Sequence, residues 1–387
     1  MIQNHALGPH IEKQPKINEV MSFIEKQLLT TIKGKTIKVY TDINWDYLLL
    51  PSVSKFLFEE INIIENLAPL GIINRPGKKY VKHYICVHDT GDHTLNAFKW
   101  SEAVKNSKVG NSEYICSFQY VVGNDGYYHN IPDDEMARHA GDGHSEESIF
   151  GLIPTGVFIN KDNNINKPFI GINDEGYFTI NEIASKIKAP IDSKKNKILT
   201  TNDINDLGIY SEIKKISEDK YEYYLGRTWF NPIFNSIANY GGNLNSIGIE
   251  SCVNYNSDVY YTWQKVAKLV AKLMDDNNFG IDAVVQHHYF SGKNCPETMR
   301  AQGLWDYYKE IILIEYQMLQ YKKLGYNFEF KSKNLQYLND KGRVLAKPND
   351  SSIKVNYIIT VNYKDGNSLK KEFSSEILPD LEKGNSK

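Results

Sequence analysis

The sequence predicts an α/β protein, a sheet covered by helices, and three observations carry that expectation. Runs rich in β-branched and aromatic residues, "YVKHYICVHDTG" (80–91), "SIGIESCVN" (246–254) and "DAVVQHH" (282–288), read as short buried strands. Between them lie stretches of helical period, the clearest placing Val259, Trp263, Val266, Val270 and Leu273 on one face and Lys265, Lys268 and Lys272 on the other. Glycine, proline and asparagine clusters such as "NRPGKK" (74–79) punctuate the boundaries.

Taken in order, residues 1–70 form an N-terminal extension of no assigned role, with a helical "INEVMSFIEKQLLTTI", a strand-like "KTIKVY" and an apolar "YLLLPSVSKFLFEEINII". The strand at 80–91 leaves His88 near its polar end. "TLNAFKWSEAVKNS" carries helical period, and "EYICSFQYVVGNDGYYHNIP" reads as strand, Asn-Asp-Gly turn and strand. Residues 143–238 are too long for a loop and contain their own hairpin signal, "FIGINDEGYFTI", so they read as an inserted subdomain or lid within a domain spanning 71–320. The strand at 282–288 delivers His287, and Pro296 marks the start of a helix over "ETMRAQGLWDYYKEII". Alternation in "IKVNYIITVNYKDGNSLKKEFS" around an Asp-Gly turn predicts a small β module at 327–387, with a frayed "LEKGNSK" end.

Composition narrows the function. With 45 Lys and Arg against 47 Asp and Glu, the formal charge of −2 offers no electrostatic footprint for nucleic acid. No apolar run is long enough for a membrane span, and the first residues lack the pattern of a secretory signal. Cys86, Cys116, Cys252 and Cys295 are too few and scattered for a disulfide scaffold, so reduced thiols are expected.

The densest chemistry lies in "VVQHHYFSGKNCPE" (284–297). On its own this stretch reads first as a loop whose histidines are neighbours by accident and whose Cys295 is a small buried hydrophobe. Together with His88, however, His287 and Cys295 make three ligands that leave one tetrahedral position open, the arrangement a hydrolytic zinc requires.

Five blocks in order, "YICVHDTG", "CSFQYVVGNDG", "ARHAGDG", "NSIGIESCVN" and "QHHYFSGKNCP", resemble the zinc-dependent N-acetylmuramoyl-L-alanine amidases, whose fold is shared by phage lysins and peptidoglycan recognition proteins. The likeness is strongest to lysins of phages that infect Gram-positive bacteria and covers about 70–142 and 239–315. It implies a central mixed β-sheet flanked by helices, a Zn2+ ion on His88, His287 and Cys295, and bacterial peptidoglycan as partner. It further implies Glu250 as catalytic general base, Lys293 as stabiliser of the oxyanion, and His139 as a substrate-binding residue. His288 is expected to orient or pack beside the ligands, whereas His83 and His93 match no ligand position.

Three departures bear on the expected chemistry. Phe118 stands where some members have tyrosine, Arg138 stands where tryptophan is common, and the 143–238 insertion separates blocks that are usually close. The expected reaction is hydrolysis of the amide between N-acetylmuramic acid and L-alanine. Competing readings are a non-catalytic peptidoglycan-binding module, against which the retained Cys295 argues, and a structural virion component working with other virion or tail proteins. A phage lysin released from the host cytoplasm, or a virion-borne protein acting on the cell wall, fits the lack of a signal pattern.

Overall fold

The computed structural model describes residues 14–29, 55–141, 153–160, 169–189, 191–192, 197–198, 200–202, 211–225, 241–291, 293–300, 303–346, 348 and 350–377. The expected strand "KTIKVY" and the end "LEKGNSK" lie outside them.

Helix α1 (Ile17–Leu29) forms on the spacing of Val20, Met21, Ile24 and Leu28, which bury one face. Strand β1 (Ile63–Glu65) follows, then β2 (Tyr84–Asp89), buried at all six residues as befits a strand covered on both faces. Helix α2 (Ala97–Asn106) starts at Asn96, whose side chain accepts from the Lys99 amide, and Asp125 accepts from the amides of Ala97 and Phe98. A short hairpin, β3 (Lys108–Val109) and β4 (Ser112–Glu113), leads to the hairpin of β5 (Tyr120–Gly123) and β6 (Gly126–His129). The strand expected from residue 113 onward starts at Tyr120, because the preceding residues bond elsewhere: Tyr114 N–H to Ser107 and Ser117 N–H to Arg138.

The insertion then supplies β7 (Ile153–Asn160), β8 (Ile170–Ile172), β9 (Tyr177–Ile180), β10 (Ile183–Lys188), β11 (Ile191–Asp192), β12 (Lys197–Ile198), β13 (Ser211–Ser217) and β14 (Lys220–Leu225). Sheets β10-β9-β8 and β13-β14-β7 share a small core of Val157, Ile170, Phe178, Ile180, Tyr223 and Leu225. The stems of the insertion meet: Asn243 N–H donates to the Gly141 carbonyl, while its Oδ1 accepts from the amides of His139 and Ala140. An insertion whose two ends are held together adds closure entropy that grows only slowly with length, so it leaves the host fold intact.

After α3 (Gly241–Asn245), strand β15 (Ser246–Ser251) runs fully buried into α4 (Val259–Asn277). Strand β16 (Val284–Gln286), α5 (His287–Ser291), α6 (Glu297–Arg300) and α7 (Trp305–Lys323) follow. The single helix expected over 297–312 is thus two, since Gly303 adopts φ +69° between them, a left-handed turn that ends α-helix. The C-terminal module is the antiparallel sheet β17 (Tyr326–Ser332), β18 (Ile353–Tyr363) and β19 (Ser368–Ile377).

The central sheet has the order β1-β6-β5-β15-β2-β16. It is mixed: only the β5–β6 pair is antiparallel, while β1–β6, β5–β15, β15–β2 and β2–β16 are parallel. Helices α4 and α7 cover one face, burying Trp263, Val266, Val270, Tyr308, Ile311 and Ile312 against Ile85, Val87, Ile247 and Ile249. Fully burying an aliphatic side chain of this kind stabilises by about 1.5–3 kcal/mol.

The polar face expected for α4 needs correction at Lys265, which is 2% exposed. Its ammonium donates to the Gly123 carbonyl at 2.6 Å and lies over the Tyr127 ring, so the end of β5 and an aromatic face replace water. Lys268 is paired with Glu315 of α7 at 2.8 Å, and only Lys272 meets solvent as expected.

A second core joins the two ends of the chain. Val20, Ile24 and Leu28 of α1 pack with Val355, Tyr357, Ile359 and Val361 of β18 and with Ile314, Met318 and Tyr321 of α7. Among the described residues no helix is long and apolar enough to cross a membrane.

Candidate metal centre

Parallel strands end together at one edge of a sheet, and that edge is where open α/β sheets place their chemistry. Here the carboxyl ends of β15, β2 and β16 are adjacent, with Glu250 in register with His88 and Gln286 in register with Val87. His287 follows Gln286 as the first residue of α5, so the strand expected over 282–288 stops one residue short of it.

His88, His287 and Cys295 converge: one ligand atom from each lies within 4.8 Å of the others, and all three residues are buried. His88 Nδ1 is 3.8 Å from Cys295 Sγ. A nitrogen and a sulfur bound tetrahedrally to one zinc would stand about 3.6 Å apart at ordinary bond lengths, so the donor set fits that ion. Burial lowers both imidazoles well below their ordinary range, each being further opposed by other ring and lysine charges, so they are held as neutral donors. Burial pushes the Cys295 thiol up while the Lys293 ammonium pulls it down; a divalent cation would displace its proton.

Glu250 faces the same point, with Oε1 3.9 Å from His88 Nδ1. Its Oε2 has no hydrogen-bond partner among the described residues, although the residue is only 8% exposed. Burial raises this carboxyl to about 8, Lys293 drawing it down and Asp89 pushing it further up. A buried carboxyl that titrates near neutrality and has one oxygen unbonded can both hold and release a proton at the centre, as a general acid–base group must.

His139 lies behind His88 rather than at an open face. It is buried, its Nδ1 is 2.9 Å from His88 Nε2, and its ring is packed so closely on β15 that a Cβ on Gly248 would stand 2.8 Å from it. This differs from the substrate-facing place expected for it, because residues 139–141 are stitched to Asn243 and turn the ring inward. With a cation on His88 Nδ1, His88 Nε2–H would donate to His139 Nδ1. Burial, aided by Lys82, lowers His139 to about 3 and keeps it a neutral acceptor. Cys86, His88 and His139 also lie within 4.8 Å of one another, but His88 Nε2 is there engaged with His139 and Cys86 is wholly buried.

The remaining residues sort as follows. His288 N–H donates to the Cys295 carbonyl at 3.0 Å, tying the two ligand segments together. His93 is bonded to Val253 O and stacks edge-on with Tyr255, apart from the ligands. Phe118 is in the core beside Val121 and Ile131. Sequence reasoning missed Asp89, whose Oδ2 accepts from both the amide and the hydroxyl of Thr298, at 2.7 and 2.6 Å. Its adjacency to His88 was the only signal in the sequence.

Residues 78–203 match the sequence profile of the N-acetylmuramoyl-L-alanine amidase family. That match covers about a third of this chain, and over those residues the chain is similar to the type 2 amidases. The amidase profile includes His88 and His139 but stops inside the insertion, so Glu250, His287 and Cys295 join the amidase region through the fold. Among curated relatives, the N-acetylmuramoyl-L-alanine amidase CwlA of Bacillus subtilis (strain 168) is 38% identical over 86 residues, 22% of this chain and 30% of the relative. XlyA of the same organism, with the same activity in its name, is 22% identical over 249 residues, 64% of this chain and 50% of the relative. The chain thus spans half or less of the length of these relatives. Among solved structures, the catalytic domain of XlyA aligns with a TM-score of 0.37 at 21% identity, covering 65% of this chain and 99% of that domain. PlyL aligns with a TM-score of 0.36 at 17% identity, covering 66% and 97%.

Proposed function

We propose that this chain is a zinc-dependent peptidoglycan hydrolase that cleaves the amide between N-acetylmuramic acid and the L-alanine of the stem peptide. The observation that carries the reading is the meeting of two neutral imidazoles, a thiol and an under-bonded carboxylate at one buried point. His88, His287 and Cys295 would hold Zn2+, and the ion supplies Lewis acidity that activates water and polarises a carbonyl.

The chain's own groups do the rest. Glu250 takes a proton from the attacking water and returns it to the leaving amine nitrogen. Lys293, whose charge acts on His88, His287, Cys295 and Glu250 alike, offsets the negative charge that develops on the carbonyl oxygen. His139 holds the His88 ring in the tautomer that turns Nδ1 to the ion, a positioning role in place of substrate contact. Action on the cell wall as a phage lysin or virion-borne enzyme fits this chemistry, and the insertion would shape access of glycan or peptide. A purely binding role is disfavoured by the retention of both thiol and carboxylate.

Metal analysis with digestion of purified peptidoglycan tests the reading. Bound zinc near one equivalent and new L-alanine amino termini are expected, with Glu250→Ala lowering the rate by about 10²-fold or more. New reducing sugar ends would instead identify a glycosidase.

A further inference from the structure

Of the two late candidate ligands, His287 opens α5 while Cys295 lies outside any helix or strand, which raises the question of what holds their spacing. His287 stands after Gln286, and Cys295 after Asn294. A single side chain grips both preceding residues: Arg300, the last residue of α6, donates from Nη1 to Gln286 Oε1 at 2.6 Å and from Nε to Asn294 Oδ1 at 2.9 Å. Its guanidinium is a rigid planar fork, so the two bonds fix the separation of the groups they reach. The helix that carries Arg300 is itself anchored next to the first ligand, since Thr298 donates twice to Asp89, the neighbour of His88.

We propose that Arg300 is a positioning residue for the metal centre, setting the distance between His287 and Cys295 through Gln286 and Asn294. The inference rests on the metal reading above. Arg300 acts through its two hydrogen-bond partners, restricting the backbone on which both candidate ligands ride. A preset ligand triangle needs less ordering when the ion arrives, and residues that orient ligands from behind typically change metal affinity by about 10- to 100-fold.

Zinc affinity of the full chain, measured by chelator competition, tests it alongside thermal unfolding of the metal-free protein. Arg300→Lys keeps the charge and loses the fork. We expect it to bind zinc about tenfold more weakly with an unchanged metal-free unfolding midpoint. The pair Gln286→Ala with Asn294→Ala should lose as much, and adding Arg300→Lys to that pair should lose nothing further, as for residues acting through one another. Unchanged affinity in Arg300→Lys, fully additive losses, or an affinity loss matched by a falling metal-free midpoint would each overturn the proposal. Should Arg300→Lys not fold, Gln286→Ala and Asn294→Ala alone decide, unchanged affinity in both counting against it. A wild-type chain that binds no stoichiometric zinc removes the metal reading and this inference together; tight wild-type binding with an indifferent Arg300→Lys removes this inference alone.

Discussion

At the scale of single residues, the molecule uses burial to set charge, and the outcome depends on what each buried group can reach. His88 and His287 are kept neutral because burial, reinforced by neighbouring rings and the Lys293 charge, opposes their protonation. His129 goes the other way: burial opposes its charge, but hydrogen bonds and charges from Asp133 and Glu65 outweigh burial and raise it above its ordinary value. Its Nδ1 is 2.9 Å from Glu65, its register partner on β1, so the charged ring pins the outermost strand to the sheet. A pKa raised on folding contributes stability that is fully present below about 6.5, the unfolded value, and is lost as pH rises through the higher folded value. His129→Gln should therefore be less stable than wild type in acid and approach it in alkali. Urea unfolding of both proteins across the imidazole range checks this, and a stability gap that widens with pH would contradict it. Residues of this kind were half legible in the sequence: His88, His287, Cys295 and Glu250 stand out by type, whereas Asp89, Asn243 and Arg300 are ordinary until their partners arrive from elsewhere in the chain.

At the scale of elements, β15 shows how a strand builds a site on one face. Alternation puts Gly248 and Glu250 on the same side, and the glycine is the gap into which the His139 ring fits. Gly248→Ala would drive a methyl group into that ring, and overpacking of this sort costs about 1–3 kcal/mol. Because His139 supports His88, the substitution should also weaken zinc binding, by about tenfold or more. Calorimetry and chelator competition on one preparation measure both, and a variant that retains full metal affinity would show that His139 does not act through His88. Strand and helix identities were readable wherever period was strong, as in β2, β15, α4 and the hairpin of β5 and β6. They were misread where a local turn or a distant bond intervened, at Gly303 and before Tyr120.

At the scale of the whole molecule, α7 links two cores. Tyr308, Ile311, Ile312 and Tyr316 face α4 and the central sheet, while Ile314, Met318 and Tyr321 face the C-terminal sheet and α1. The N-terminal helix is therefore part of the C-terminal module. Ile24→Ala, at a wholly buried position, should destabilise the protein by about 2–5 kcal/mol without changing zinc affinity; a loss below about 1 kcal/mol in denaturant titration would mean that α1 does not dock as described. The sequence by itself determined the α/β class and the side-chain types available to the candidate site, because hydrophobic period and side-chain chemistry are local properties. Only the tertiary structure decided that α1 belongs with β18, that Lys265 is buried, that His139 turns inward behind His88, and that Arg300 bridges Gln286 and Asn294 beside His287 and Cys295. Each of these depends on which groups, distant in sequence, share a boundary from which water is excluded, and no local pattern records that.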